Sequence, residues 1–200
     1  SYKMKNYLNI RLSIDRTVFN VIFLAIIRQK KLVYIFFLTI LASVLGLIYF
    51  GWTQSLQIFY FLYPSMLVVG IFYASSTYKV RKFFNLYRIS IMKEFMYLVI
   101  SQIVLVLPMA LLPMIVDLPM NYIYIGFMVI TLTIISGFIF PAFESSINES
   151  TSSLLTFFIV IMISFLLSKP QYLFLVFLMI LGTEFVCIYR ERKEIFNENS

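Results

Sequence analysis

Residues 28–31 read Arg28-Gln29-Lys30-Lys31, and residues 32–51 then run LVYIFFLTILASVLGLIYFG without a single charge. A bilayer core is roughly 30 Å thick, and an α-helix rising 1.5 Å per residue needs about 20 apolar residues to cross it. This stretch has that length, and the basic cluster before it marks where it leaves water. Five more apolar runs follow: 54–76 with Pro64 inside, 95–116 with Pro108 and Pro113, 120–143, a short one at 153–168, and 170–189. The runs are continuous rather than alternating, which argues against a β-barrel. Prolines within such runs are tolerated where neighbouring helices satisfy the freed carbonyls.

Composition agrees. Of the 200 residues, 62% are hydrophobic and 12% charged, against about 25% charged in soluble domains, and mean hydropathy is +0.94. A small water-soluble fold cannot hide that much apolar surface. The fold class expected is therefore all-α, a polytopic membrane protein of six transmembrane helices with an N-terminal interfacial helix. Residues 1–31 form the cytoplasmic and interfacial segment, 32–189 the transmembrane domain, and 190–200 a cytoplasmic tail. The start is basic, but no small-residue cleavage site follows an isolated apolar core, so no cleavable signal peptide is expected.

Charge placement gives orientation. Seven cations precede the first run, five (Lys79, Arg81, Lys82, Arg88, Lys93) lie between the second and third, and three (Arg190, Arg192, Lys193) follow the sixth. Only Lys169 falls on the other side. The positive-inside rule places both termini in the cytoplasm, which an even number of spans requires. The outer loops, Trp52-Thr53, Asp117-Leu118-Pro119 and Lys169-Pro170, are very short, so what the chain displays faces inward. A net charge of +7 suits an acidic partner or anionic membrane lipids. Nucleic acid is a poor partner for cations set beside lipid-facing segments.

Much chemistry is excluded. There is no histidine, so imidazole metal sites and Ser-His or Cys-His pairs cannot be built within the chain. The single cysteine, Cys187, has no intramolecular disulfide partner. No phosphate-binding glycine loop occurs. No catalytic residue, metal ligand or cofactor site is expected. Acidic residues are sparse in the runs: Asp117 and Glu144 stand at ends, and Glu184, inside the sixth, is expected to pair with Arg190 or Arg192 one to two turns on. Gln102, Thr131, Thr133 and Ser136 are read as helix-packing groups, as are Gly70 and Ala74 with their small-xxx-small spacing.

Three elements stand on the basic side. Residues 17–27 are apolar, too short to span, and flanked by charge, which predicts an interfacial helix. Residues 77–94, wound at 100° per residue, gather Val80, Phe83, Phe84, Tyr87 and Ile91 into one apolar sector expected to pack against the membrane domain. Lys79, Arg81, Lys82, Asn85, Arg88 and Lys93 occupy the rest, interrupted by Leu86, Ile89 and Met92, which would anchor a partner's groove. Residues 144–152 are polar and acidic, a turn and helix cap that offers Glu144 and Glu149 as a minor second contact.

With six spans, no ion-coupling residues and no nucleotide site, the layout resembles the permease subunit of a bacterial ABC exporter whose ATPase is a separate chain. The residues that carry the resemblance are Lys79-Val80-Arg81-Lys82-Phe83-Phe84-Asn85-Leu86-Tyr87-Arg88, matching a coupling helix at about 78–93. Within that class it looks like the staphylococcal exporters of phenol-soluble modulins, in keeping with frequent Ile, Phe, Tyr, Asn and Lys. The resemblance implies a multi-pass protein of the bacterial cytoplasmic membrane. Its partners would be an ABC-type ATPase that binds ATP and Mg, and a second permease copy, identical or related. ATPase-docking residues would be Lys79, Arg81, Lys82, Phe83, Asn85, Leu86, Arg88, Ile89, Glu144 and Glu149, with Pro108 and Pro113 as a hinge. The substrate would be an amphipathic or hydrophobic peptide, lipid-like molecule or drug. The chain departs from the class in having almost no re-entrant segment between spans five and six. Two other readings stay open: a membrane substrate-binding subunit for vitamin uptake, and a membrane scaffold without transport. No nucleophile–base or metal set supports an enzyme.

Overall fold

The computed structural model describes residues 16–115, 118, 122–141, 146–164 and 170–197. These form eight α-helices and no strand: α1 Arg16–Ile27, α2 Lys30–Phe50, α3 Trp52–Met66, α4 Phe72–Leu86, α5 Ile91–Leu111, α6 Tyr122–Ile139, α7 Ser146–Ser164 and α8 Pro170–Asn197. Among the described residues, four stretches are long and apolar enough to cross a membrane: Lys30–Phe50, Trp52–Phe84, Ile91–Met114 and Tyr122–Ile139. The expected fifth run lies in α7, with residues 165–168 outside the described set, and the sixth in α8.

In lipid, apolar contact alone gives helices little reason to associate; close packing and hydrogen bonds do. The contacts follow that rule. Helix α2 reverses directly into α3 at Gly51, whose φ of 94° is a conformation side chains rarely adopt. The two then pack through small groups. Ser55 Oγ donates to the Ser43 carbonyl at 2.6 Å, and Thr39 and Gly46 are the residues α2 buries. The rest of α2 is lined with exposed aromatic and aliphatic side chains, among them Tyr34, Phe37, Ile48 and Phe50.

Pro64 lies inside α3, and a 3-10 segment, Leu67–Ile71, separates α3 from α4. This break packs on α6, the central helix, which is buried over most of its length. The Thr133 hydroxyl lies 2.8 Å from the Ile130 carbonyl of its own helix and 3.3 Å from the Leu67 carbonyl, so a polar group stands at the break. At the same crossing a Cβ on Gly137 would collide with the Ile71 carbonyl, so only glycine permits the approach. Pro108 sits inside α5, while Pro113 lies in a second 3-10 segment, Leu112–Met114, at the helix end.

Helix α1 is not merely laid on a surface. Val18, Ile22 and Ile26, four residues apart, are buried in the same core as Tyr73, Phe84 and Leu98, and Phe19 meets Tyr97 of α5 edge-on at 6.1 Å. Its 12 residues rise about 18 Å, short of a span.

Candidate functional site

The coupling helix expected at 78–93 is not a separate element. Helix α4 carries on to Leu86, a turn occupies residues 87–90, and α5 begins at Ile91. Local chemistry sets this corner. Ile89 N–H donates to the Phe84 carbonyl at 2.9 Å, Arg88 has a φ of 51°, and both Phe84 and Ile89 are buried. That is a Schellman stop with its apolar contact, with arginine where glycine is usual. Ser90 then caps α5 by accepting the Lys93 N–H at 3.3 Å.

The turn rotates the residues that follow it out of the phase a continuous helix would give them. Ile89, expected as an exposed anchor, points into the core, whereas Phe83 and Tyr87, expected to pack against the membrane domain, are more than half exposed. Arg81, expected on the docking face, is fully buried. Lys79, Lys82, Leu86 and Arg88 are exposed as expected. Asn85 lies in α4, but its side chain, Glu144 and the side chain of Glu149 are outside the described set.

Beneath the corner is a cluster of buried charge. Glu94 accepts Arg81 Nε at 2.8 Å on one oxygen and Arg192 Nη1 at 3.1 Å on the other, and Tyr73 Oη donates to it at 3.3 Å. Arg192 Nη2 also donates to the Ile89 carbonyl at 2.6 Å, tying α8 to the turn. Arg81 Nη1 stands 3.6 Å from Glu191, and the guanidinium faces the rings of Phe138 and Tyr73 at 4.6 and 5.2 Å. Two cations thus meet two anions. Burial lowers the pKa of Arg192 from the ordinary guanidinium value, with Glu94 opposing and Arg81 adding to the effect.

Two helical turns deeper a second polar layer joins α5, α6 and α8. Gln102 Nε2 donates to Glu184 Oε1, and Thr131 Oγ1 lies 3.2 Å from Gln102 Oε1. Glu184 does not pair with Arg190 or Arg192: Arg190 meets Glu194 at the surface, and Arg192 is taken by Glu94. Leu98 and Ile188, between the two layers, are fully buried. Sequence reasoning missed both layers. The legible signal was the spacing Glu94-Leu98-Gln102 on α5 and Glu184-Ile188-Arg192 on α8, matching polar ends on antiparallel helices.

Beside the corner an apolar cleft of about 330 Å³ opens between α1 and α4, lined by Val18, Val21, Val80, Phe83 and Phe84. No cluster of potential metal ligands occurs among the described residues. Comparison with family models, with curated proteins and with solved structures finds no match.

Proposed function

We propose that this chain is the transmembrane subunit of an ATP-driven exporter of the ABC type, in which a separate ATPase docks on the corner between α4 and α5. The observation that supports it is the build of that corner. Lys82, Phe83, Leu86, Tyr87 and Arg88 stand exposed at a helix end that buried charge ties to α5 and α8, so a push there reaches two other helices. Exposed apolar groups among cations suit a partner groove with an acidic rim, and the cleft beside them can take a partner side chain. In this reading α7 and α8 join the four long apolar stretches to make six spans. Both termini lie in the cytoplasm of a bacterial cell, and two copies, identical or related, line the substrate path. Spans rich in Phe, Leu and Ile suit an amphipathic peptide or lipid-like substrate.

The docking surface differs from the one read in sequence by losing Arg81 and Ile89 to the interior and gaining Tyr87. The test is co-expression with a P-loop ATPase encoded beside this chain. Phe83→Ala with Leu86→Ala should abolish co-purification and uncouple ATP hydrolysis from export, since anchors typically cost about 2 kcal/mol or more, while Lys79→Ala does little. A double variant that still co-purifies and exports at the native rate would remove the docking claim.

A further inference from the structure

Glu184 is fully buried in the bundle, and its Oε2 has no hydrogen-bond partner. Among the described residues no ion pair reaches it. Around it on α4 are Tyr73 and, toward the basic end, Arg81; on α5, Gln102 and, two turns away, Glu94. On α6 no acidic or basic side chain occurs within 122–139, and on α8 itself there are Cys187, Arg190, Glu191 and Arg192. The nearer cations are engaged, Arg81 and Arg192 by Glu94. An intramembrane carboxyl without a counter-charge is costly as an anion and marks a functional site by default.

Two further features bear on what it binds. The hydroxyl of Thr131 has two acceptors in reach, Gln102 Oε1 at 3.2 Å and the Phe127 carbonyl at 2.8 Å, and only one proton to give. The Gln102 amide is both donor and acceptor, so the chain Glu184–Gln102–Thr131 closes in two ways. With an anionic carboxylate, Gln102 Nε2 donates to Glu184 and Thr131 donates to Gln102 Oε1. With one proton added to the carboxyl, Glu184 donates to Gln102 Oε1, the turned amide donates to Thr131 Oγ1, and Thr131 donates to Phe127. A cavity of about 260 Å³ also enters from the basic end between α6 and α8, lined by Phe138, Ile139, Cys187, Arg190, Glu191 and Glu194. Cys187 lies one helical turn, roughly 4.5 Å of rise, from Glu184.

We propose that Glu184, Gln102 and Thr131 form a proton-binding site within the membrane domain, reached by water through this cavity. The site rests on α8 lying in the membrane, as the six-span reading has it, but not on export or on a partner chain. The test uses the full chain in liposomes treated with dicyclohexylcarbodiimide, which couples to protonated carboxyls in apolar surroundings, with the adduct mapped by mass spectrometry. Labelling of Glu184 is expected at acid pH, falling about tenfold per pH unit once the proton leaves, and absent in Glu184→Gln. A water-soluble maleimide should modify Cys187, reporting the water path. The wild-type titration carries the test even if the variant fails to fold. No adduct at acid pH, a yield that ignores pH, protection by sodium at fixed pH, or an inert Cys187 would each overturn the proposal.

Discussion

Glu94 shows how one carboxylate can hold three helices. It sits in α5 and takes one guanidinium from α4 and another from α8. Removing one member of a buried ion set is costly, about 3–5 kcal/mol, because the charges left behind stay out of water. Glu94→Gln should therefore destabilise the detergent-solubilised protein by about that amount in thermal unfolding, since Arg192 loses its anion and Arg81 keeps only Glu191. Lys82→Ala, at the exposed surface one residue from Arg81, should stay within about 0.5 kcal/mol. The contrast explains why Arg81 misled sequence reasoning. A helical wheel sorts residues by polarity, and an arginine whose anion lies thirteen positions on, across a turn, looks the same as one in water.

Among the elements, the corner between α4 and α5 makes the sharpest prediction. Arg88 holds a left-handed conformation at a helix stop, and its side chain is exposed. Arg88→Gly should stabilise the protein by about 1 kcal/mol, and Arg88→Val should destabilise it, because a β-branched residue resists that conformation; paired melting curves check both. The crossing of α6 over the 3-10 segment makes the converse case. Gly137→Ala presses a methyl against the Ile71 backbone, and overpacking of that kind costs about 1–3 kcal/mol. Unchanged melting would mean that the crossing yields instead. The apolar runs were legible because length and hydropathy are local properties. The turn at 87–90 was not, because its stop residue is arginine and only the buried Phe84 and Ile89 betray it. Helix α1 was legible as a short apolar helix, but its packing into the core depends on distant partners.

For the chain taken entire, the distribution of charge is the governing fact. Fifteen of its sixteen cations fall on one side of the expected bundle, which the positive-inside rule reads as cytoplasmic. Reporter fusions at the two ends should both be active only in forms that work in the cytoplasm; opposite activities would require an odd span count. The four long apolar stretches make a membrane protein visible from sequence. The joining of the polar interior was not visible, since Gln102, Thr131 and Glu184 are far apart in the chain: the first two pass for ordinary packing groups, and Glu184 for the partner of a nearby arginine.

The pairing of α5 with α8 also constrains motion. Each step of four residues forward along α5 meets a step of four back along α8: Glu94 beside Arg192, the buried Leu98 and Ile188, then Gln102 beside Glu184. The helices are keyed together at two places about 12 Å apart. A slide of one turn would set the Glu94 carboxylate against Ile188 and strand Arg192, so neither key can slip without the other. The pair must tilt or rotate as one strut. Helix α2, by contrast, packs chiefly on α3 and buries only Thr39 and Gly46, so no such key fixes it to the rest of the bundle.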